Sequence, residues 1–171
     1  LMQSKLYLKS ELEIGSEFYF TILFKHAGAS DKAVLQMETP ILKSDRAFRI
    51  LIAEDNEINL LLVRLMIKNS FPNAVILEAR NGLEVIEIYQ SVPLDLILMD
   101  IQMPLKNGYE TTTEIRQIEL SKRTPIIALT AGILKEEKQK CLDLGMDDYI
   151  SKPINSEELH TAILKVVNSI Q

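Results

Sequence analysis

The sequence predicts an α/β fold in which five parallel strands form one doubly wound sheet with helices on both faces. From Phe48 onward, short strand-like runs, most of them apolar, alternate five times with segments of helical character. Such alternation is typical of a parallel sheet, whose strands are apolar throughout because helices cover both faces. Right-handed crossovers then restrict the chain to a doubly wound sandwich.

Five short runs carry the strand prediction. They are Phe48–Ala53 (FRILIA), Ala74–Ala79, Leu94–Met99 (LDLILM), Pro125–Thr130 (PIIALT) and Asp147–Ser151. Each has the length of a strand rather than of a buried helix. Further upstream, Leu6–Leu8 and Phe18–Leu23 alternate around Gly15 and Ser16, which predicts a hairpin with its turn at those two residues.

Apolar spacing and capping residues predict the five helices. Residues 57–69 carry apolar side chains at helical spacing. A second helix is predicted to begin after Asn81, because Asn81 and Glu84 have the spacing of a capping box. The later helices are predicted near Tyr109–Ile118, at Leu134–Leu144 with Gly145 after its end, and after Asn155.

Composition and charge exclude several classes of protein. With 47% apolar and 25% charged residues, the chain is neither a disordered tail nor a collagen-like fibre. A single cysteine, Cys141, excludes a disulfide framework and a cysteine-based zinc site. The net charge of −5 arises entirely within residues 48–171. We therefore expect no direct nucleic-acid binding, and an acidic domain leaves room for a divalent cation.

Polar side chains gather where the predicted strands end. Glu54 and Asp55 follow the first strand, Asp100 follows the third, Thr130 ends the fourth and Lys152 lies just past the fifth. In parallel sheets these carboxyl ends meet at one edge, where sites form. Crowded carboxylates favour a hard cation such as Mg²⁺, and a lysine offers positive charge to an anionic group. These parts suit a carboxylate nucleophile that accepts a phosphoryl group.

Residues 48–171 resemble a response-regulator receiver domain. The matching stretches are ILIAEDNEIN, LILMDIQMPLKNGYE, PIIALTA and DDYISKPI, in order and at family spacing. The resemblance implies a flavodoxin-like sheet with strand order 2-1-3-4-5. The EDN-x-x-N stretch, which ends at Asn59, is typical of receivers attached to hybrid histidine kinases. Asn59 could equally face solvent.

The resemblance assigns a role to each residue of the predicted edge. Asp100 would be the phospho-acceptor, and Asp55 a direct Mg²⁺ ligand. Glu54 would act through metal-bound water, and the backbone carbonyl of Gln102 would be the third protein ligand.

The remaining roles concern the phosphoryl group. Thr130 would bond a phosphoryl oxygen, and Lys152 would pair with the group. Lys152–Pro153 would be a cis peptide, and Tyr149 would be the aromatic rotamer switch. We also expect Gln102 and Leu105 to tune water access beside Asp100.

The N-terminal 47 residues are predicted to belong to other parts of a kinase. Residues 1–24 resemble the closing strands of a histidine-kinase ATP-binding domain, which is incomplete here, and residues 25–47 are predicted to be a linker. No nucleotide-binding helix or glycine-rich lid precedes them, so this chain should not act as a kinase by itself. Neither His26 nor His160 resembles a phospho-acceptor, and His160 is expected at the surface.

The most economical functional interpretation is a phosphorelay module. A kinase phosphohistidine would donate to Asp100 with Mg²⁺ present, and the group would pass to a histidine phosphotransfer protein. The alternative is a docking module in which Asp100 is a relic. A phosphatase of the haloacid-dehalogenase type is disfavoured, because Gln102 stands where those enzymes carry a second aspartate. Slow self-dephosphorylation is compatible with this interpretation.

Location and assembly follow from the same interpretation. We expect a cytoplasmic segment without membrane contact, from a parent kinase that could be membrane-anchored. The strands predicted in residues 1–24 have exposed edges. These edges could pair with the receiver or with a second copy of the chain.

Overall fold

A computed structural model describes residues 6–11, 15–20, 48–120, 123–132 and 135–168. The chain divides into two compact units, residues 1–37 and 38–171. In the first unit, β1 (Leu6–Glu11) pairs with β2 (Gly15–Phe20) in an antiparallel hairpin. The rings of Tyr7 and Tyr19, which are register partners, stack at 5.3 Å. The predicted hairpin is therefore present.

The hairpin turn, however, was predicted at the wrong residues. Gly15 and Ser16 begin β2, and the Ser16 hydroxyl oxygen lies 2.7 Å from that of its register partner Ser10. The turn was predicted there because Gly and Ser favour turns, whereas both residues pair with β1 as part of the strand. Residues 12–14, which join the strands, lie outside the described residues, as do Thr21–Leu23, His26 and the predicted linker 25–47.

The second unit has the predicted parallel sheet. Its strands are β3 (Arg49–Ala53), β4 (Val75–Ala79), β5 (Leu96–Asp100), β6 (Ile126–Thr130) and β7 (Asp148–Ser151). They pair in the order β4-β3-β5-β6-β7, and every pairing is parallel. Counted within this unit, the order is 2-1-3-4-5. The doubly wound, flavodoxin-like fold is therefore confirmed.

Within the described part of this unit, five helices follow the strands in turn. They are α1 (Glu57–Ser70), α2 (Gly82–Ser91), α3 (Gly108–Ile118), α4 (Lys135–Asp143) and α5 (Ser156–Asn168). Asparagine side chains cap four of them, since Asn56, Asn81, Asn107 and Asn155 accept backbone N–H groups of the first turns of α1, α2, α3 and α5. These caps define where each helix starts relative to the strand before it. None of the described helices is long and apolar enough to cross a membrane.

The central strand β5 begins and ends later than predicted. The prediction was Leu94–Met99, whereas the strand runs from Leu96 to Asp100. Asp95 precedes the strand, and its carboxylate accepts the backbone N–H of Arg49 on the neighbouring strand β3 at 2.9 Å. This shift makes Asp100 the last residue of the strand and places its backbone in register with Leu129 of β6.

Alternate residues of each central strand enter two separate cores. Leu96 and Leu98 pack with α1 and α5 on one face. Ile97 and Met99 pack with α2, α3 and α4 on the other, where the free thiol of Cys141 is also fully buried. Because both faces are covered, β5 and β6 are buried along their whole length. A sheet held on both sides gives a rigid platform for the residues at its carboxyl edge.

The structure contradicts the surface position expected for His160. Its side chain is only 8% exposed, and its ring stacks on Phe71 at 5.3 Å. His160 follows Leu159 on the buried stripe of α5, and Phe71 is the residue that caps the C-terminal end of α1. Nδ1 of His160 has no hydrogen-bond partner. An imidazole has a large apolar face, so ring stacking can favour burial where polarity alone predicts exposure.

Candidate functional site

Four parallel strands bring the predicted site residues to one edge of the sheet. Glu54 follows β3 directly, Asp100 ends β5, Thr130 ends β6 and Lys152 follows β7. Glu54 is held there by its backbone N–H, which donates to the carbonyl of Ala79 at 3.0 Å. Residues that are up to 98 positions apart in the chain thus become neighbours.

Three carboxylates form the centre of this edge. Glu54, Asp55 and Asp100 each offer an oxygen, and these oxygens all lie within 4.8 Å of one another. Glu54 is fully buried and Asp100 is 4% exposed, whereas Asp55 is exposed to solvent. An all-oxygen set that is open on one side fits a hard divalent cation that retains several waters. The three residues therefore suit the Mg²⁺ expected here.

Lys152 connects the two buried carboxylates. Its Nζ donates to Oε2 of Glu54 and to Oδ2 of Asp100, both at 2.7 Å. Burial alone would lower the pKa of Lys152, but hydrogen bonds and charge from Asp100 and Glu54 outweigh burial and raise it. The lysine is therefore a protonated, fixed positive charge directly against the oxygens of Asp100.

Asp100 is held in an environment that opposes its ionisation. Burial raises the pKa of Asp100, and the charge of Glu54 acts in the same direction. Hydrogen bonds from Lys152 and from the backbone N–H of Gln102, at 3.1 Å to Oδ1, only partly offset this rise. The carboxylate is thus desolvated and held through both of its oxygens.

The side chains of the remaining predicted residues lie around this centre. The Thr130 hydroxyl oxygen accepts the backbone N–H of Gly132 at 3.0 Å. Tyr149 lies half-buried on β7, with Nζ of Lys138 4.5 Å from its ring centroid. The Lys152–Pro153 peptide is cis. Gln102 adjoins Asp100 through its backbone N–H, while a role for its carbonyl stays a prediction.

The orientation of one residue of this site, Asn59, was not predictable from the sequence. Asn59, on the first turn of α1, donates its side-chain amide to Oε1 of Glu54 at 3.0 Å. Asn59 therefore turns toward the site and not to solvent. Its signal was the spacing in EDN-x-x-N, which places Asn59 five residues after Glu54. Only the bend between β3 and α1 brings the two side chains together.

The loop after Asp100 is packed tightly against the strand. The backbone N–H of Gly108 donates to the carbonyl of Ile101 at 3.0 Å, so α3 begins directly over the end of β5. Leu105 in this loop has a positive φ of 64° and an exposed side chain. For a residue other than glycine such a backbone is strained, and strain of this kind clusters at functional sites.

Replacing Gly108 with alanine is expected to destabilise the domain by about 2 kcal/mol. A Cβ at this position would lie 2.3 Å from the backbone oxygen of Asp100 and 3.0 Å from Cα of Ile101, and backbone atoms cannot move aside cheaply. Helix propensity alone predicts the opposite sign, because alanine favours a helix over glycine. Urea unfolding measures the sign. The exposed Gln117→Ala on the same helix is the control, with an expected change below about 0.5 kcal/mol.

Comparison with known proteins gives a consistent result. The family model described as "Response regulator receiver domain" matches residues 50–164. Sensor histidine kinase GacS of Pseudomonas protegens is 40% identical over 125 residues, which cover 71% of this chain and 13% of that protein. The hybrid signal transduction protein dokA of Dictyostelium discoideum is 40% identical over 126 residues, which cover 73% of this chain and 7% of that protein.

Solved structures match the same region. One is the receiver domain of sensor histidine kinase PA1611 from Pseudomonas aeruginosa, with magnesium in its active-site cleft. It is 32% identical, has a TM-score of 0.65, and the match covers 72% of this chain and 99% of that one. The second is the Saccharomyces cerevisiae Ssk1 receiver domain in complex with the phosphotransfer protein Ypd1. It is 32% identical with a TM-score of 0.61, covering 70% of this chain and 86% of that one.

The matches cover a small part of the curated relatives but nearly all of the solved receiver domains. The curated relatives are much longer proteins, and this chain corresponds to about a tenth of their length. The solved receivers, in contrast, are matched over almost their whole length. The family model covers most of the second unit, including Glu54, Asp55, Asp100, Thr130 and Lys152 at the carboxyl edge of the sheet. The chain belongs to the response regulator receiver domain family.

Proposed function

We propose that this receiver accepts a phosphoryl group from a phosphohistidine onto Asp100, as one step of a phosphorelay. The observation that carries the proposal is the position of Lys152, whose Nζ lies 2.7 Å from both Asp100 and Glu54. A lysine placed between an acceptor carboxylate and its acidic neighbour offers positive charge where a phosphoryl group would arrive. A purely structural edge would gain little from three carboxylates placed close together.

The transfer follows from the groups present. An Asp100 oxygen attacks phosphorus, the phosphorus–nitrogen bond to the donor imidazole breaks, and the bonding pair leaves with the imidazole, which takes a proton from water. Lys152 then pairs with the added negative charge. Thr130, at the end of the neighbouring strand β6, is proposed to bond a phosphoryl oxygen, and Tyr149 to change rotamer in response.

Mg²⁺ is the proposed cofactor of this transfer. Asp55, Asp100 and the Gln102 carbonyl would hold it directly, and Glu54 through water. When bound, it neutralises negative charge on the phosphoryl oxygens. The matched receiver domain of PA1611 holds magnesium in its active-site cleft, which supports the same assignment for this chain.

The parent protein is proposed to be a hybrid histidine kinase whose receiver segment lies in the cytoplasm. Matches to GacS and dokA over the receiver support this, and so does the hairpin upstream. Residues 1–24 would end the kinase ATP-binding domain, residues 25–47 would be a linker, and residues 48–171 the receiver. The Ssk1–Ypd1 complex supports a histidine phosphotransfer protein as the next acceptor. Loss of the group to water is proposed to be slow and tuned by Gln102 and Leu105.

The proposal is tested by intact mass after incubation with phosphoramidate, whose phosphorus–nitrogen bond resembles that of phosphohistidine. We expect one added phosphoryl group with Mg²⁺ and none with a chelator. Mapping should place the group on Asp100. If repeated preparations bind Mg²⁺ but never gain the group from phosphoramidate or from a phosphorylated kinase domain, the proposal is wrong, and a docking module becomes the better interpretation.

A further inference from the structure

The side chain of Asn59 has an unusual place for the first turn of a helix. Its backbone N–H donates to Oδ1 of the capping residue Asn56 at 3.1 Å, so the cap is made without the Asn59 side chain. The Asn59 amide instead points back to Glu54, with Nδ2 3.0 Å from Oε1. An ionised carboxylate only accepts hydrogen bonds, so the NH₂ group of Asn59 is the donor.

Glu54 is therefore held from two sides. Asn59 binds Oε1, and Nζ of Lys152 binds Oε2 at 2.7 Å. A further contact to Oε1, from the backbone N–H of Asn56, is longer at 3.4 Å. Glu54 is fully buried, so no bulk water replaces a lost donor. Without Asn59, the carboxylate would keep one strong donor and could rotate about its long side chain.

We infer that Asn59 is a positioning residue that holds the Glu54 carboxylate in the orientation needed by the divalent cation. This inference rests on the proposed Mg²⁺ site. Mg²⁺ demands nearly ideal octahedral geometry, so the orientation of each surrounding carboxylate affects affinity. Partners that orient such groups typically contribute about 10–100-fold to metal affinity. The fifth residue after Glu54 thus belongs to the site although it touches neither the cation nor the phosphoryl group.

A positioning role differs measurably from a structural one. If Asn59 only stabilises α1, its loss lowers the free energy of unfolding equally with and without Mg²⁺. If it orients Glu54, its loss weakens Mg²⁺ binding itself, and the effect depends on the length of the side chain at position 54. Glu54→Asp shortens that side chain by one methylene and moves the carboxylate away from Asn59. It therefore removes the same contact by changing Glu54 rather than Asn59.

The experiment is a titration of the purified chain with Mg²⁺ alone. Binding is measured by calorimetry and by the shift in the midpoint of thermal unfolding. We expect Asn59→Ala to bind Mg²⁺ about 10-fold more weakly than the wild type. Asn59→Gln keeps the amide donor and is expected to recover part of the affinity. Leu62→Ala, at an exposed position of the same helix, is the matched control and should bind like the wild type.

A double-mutant cycle completes the test. In a Glu54→Asp background, Asn59→Ala should change Mg²⁺ affinity by less than about twofold, because the contact is already absent. Equal Mg²⁺ affinity of wild type and Asn59→Ala would overturn the inference and leave the proposed function intact. An undiminished effect of Asn59→Ala in the Glu54→Asp background would also overturn it. A wild-type chain that does not respond to Mg²⁺ would overturn the proposed function and this inference together.

Discussion

Replacing Asp100 with asparagine is expected to abolish phosphorylation and, at neutral pH without Mg²⁺, to make the domain more stable. The acceptor oxygen is lost, so no phosphoryl group should be added from phosphoramidate. Burial raises the pKa of Asp100, which means that its ionisation costs folding energy. Asparagine has nearly the same shape without the charge. Lys152 keeps its hydrogen bond to Glu54 after this change, so we expect the free energy of unfolding to rise.

The gain in stability should depend on pH in a defined direction. The folded-state pKa of Asp100 lies above its unfolded value of about 3.9, so the folded chain holds the proton more tightly. Below that value both states are protonated and the wild type carries no penalty. As pH rises toward the folded-state pKa the penalty grows, and above that pKa it is constant. The stability difference between Asp100→Asn and wild type should therefore widen as pH rises from about 4.

Urea unfolding at several pH values, together with intact mass, measures both effects. Asp143→Asn is the control, because it makes the same chemical change at an exposed position of α4. It should leave phosphorylation intact and change stability by less than about 0.5 kcal/mol. An Asp100→Asn protein that is phosphorylated like the wild type would exclude Asp100 as the acceptor.

Replacing Lys152 with methionine is expected to destabilise the domain by about 3 kcal/mol without Mg²⁺. The change removes the cation between Glu54 and Asp100, whose side chains are 1% and 5% exposed. Two buried carboxylates would then face each other without compensation. Added Mg²⁺ should recover more stability in this variant than in the wild type, because the metal would supply the missing positive charge.

Lys165→Met is the matched control for this prediction. Lys165 forms an ion pair of the same length, 2.7 Å to Asp148, but its side chain is 68% exposed. Exposed pairs contribute at most about 1 kcal/mol, so this variant should lose little stability and should not respond differently to Mg²⁺. If Lys152→Met and Lys165→Met lose the same stability, the carboxylates of the site are not coupled through Lys152.

The parts of the fold that local patterns encode were predictable. Short apolar runs indicated the central strands, since strands that are buried on both faces, as β5 and β6 are, must be apolar at nearly every position. Asn81 and Glu84 marked the start of α2, because a cap needs only neighbouring residues. The strand order followed from the resemblance. The acidic edge was also predictable, because Glu54, Asp100 and Lys152 each lie at the end of a strand and parallel strands end together.

Other features depend on contacts that no local pattern contains. Asp95 moved the start of β5, because its carboxylate bonds to Arg49 on another strand. Gly15 entered β2 rather than the turn, since pairing with β1 outweighed its preference for turns. His160 is buried because Phe71, which is distant in the chain, offers a ring to stack on.

Periodicity and strand ends thus established the parallel sheet and the edge at which its acidic residues lie. They could not establish that Lys152 joins Glu54 to Asp100, or that Asn59 turns inward to bind Glu54. Both contacts require side chains from separate elements to meet within 3.0 Å. Hydrogen bonds and desolvation act only over such short distances. The chemistry of this site is therefore defined only once the folded sheet has fixed the distances between these side chains.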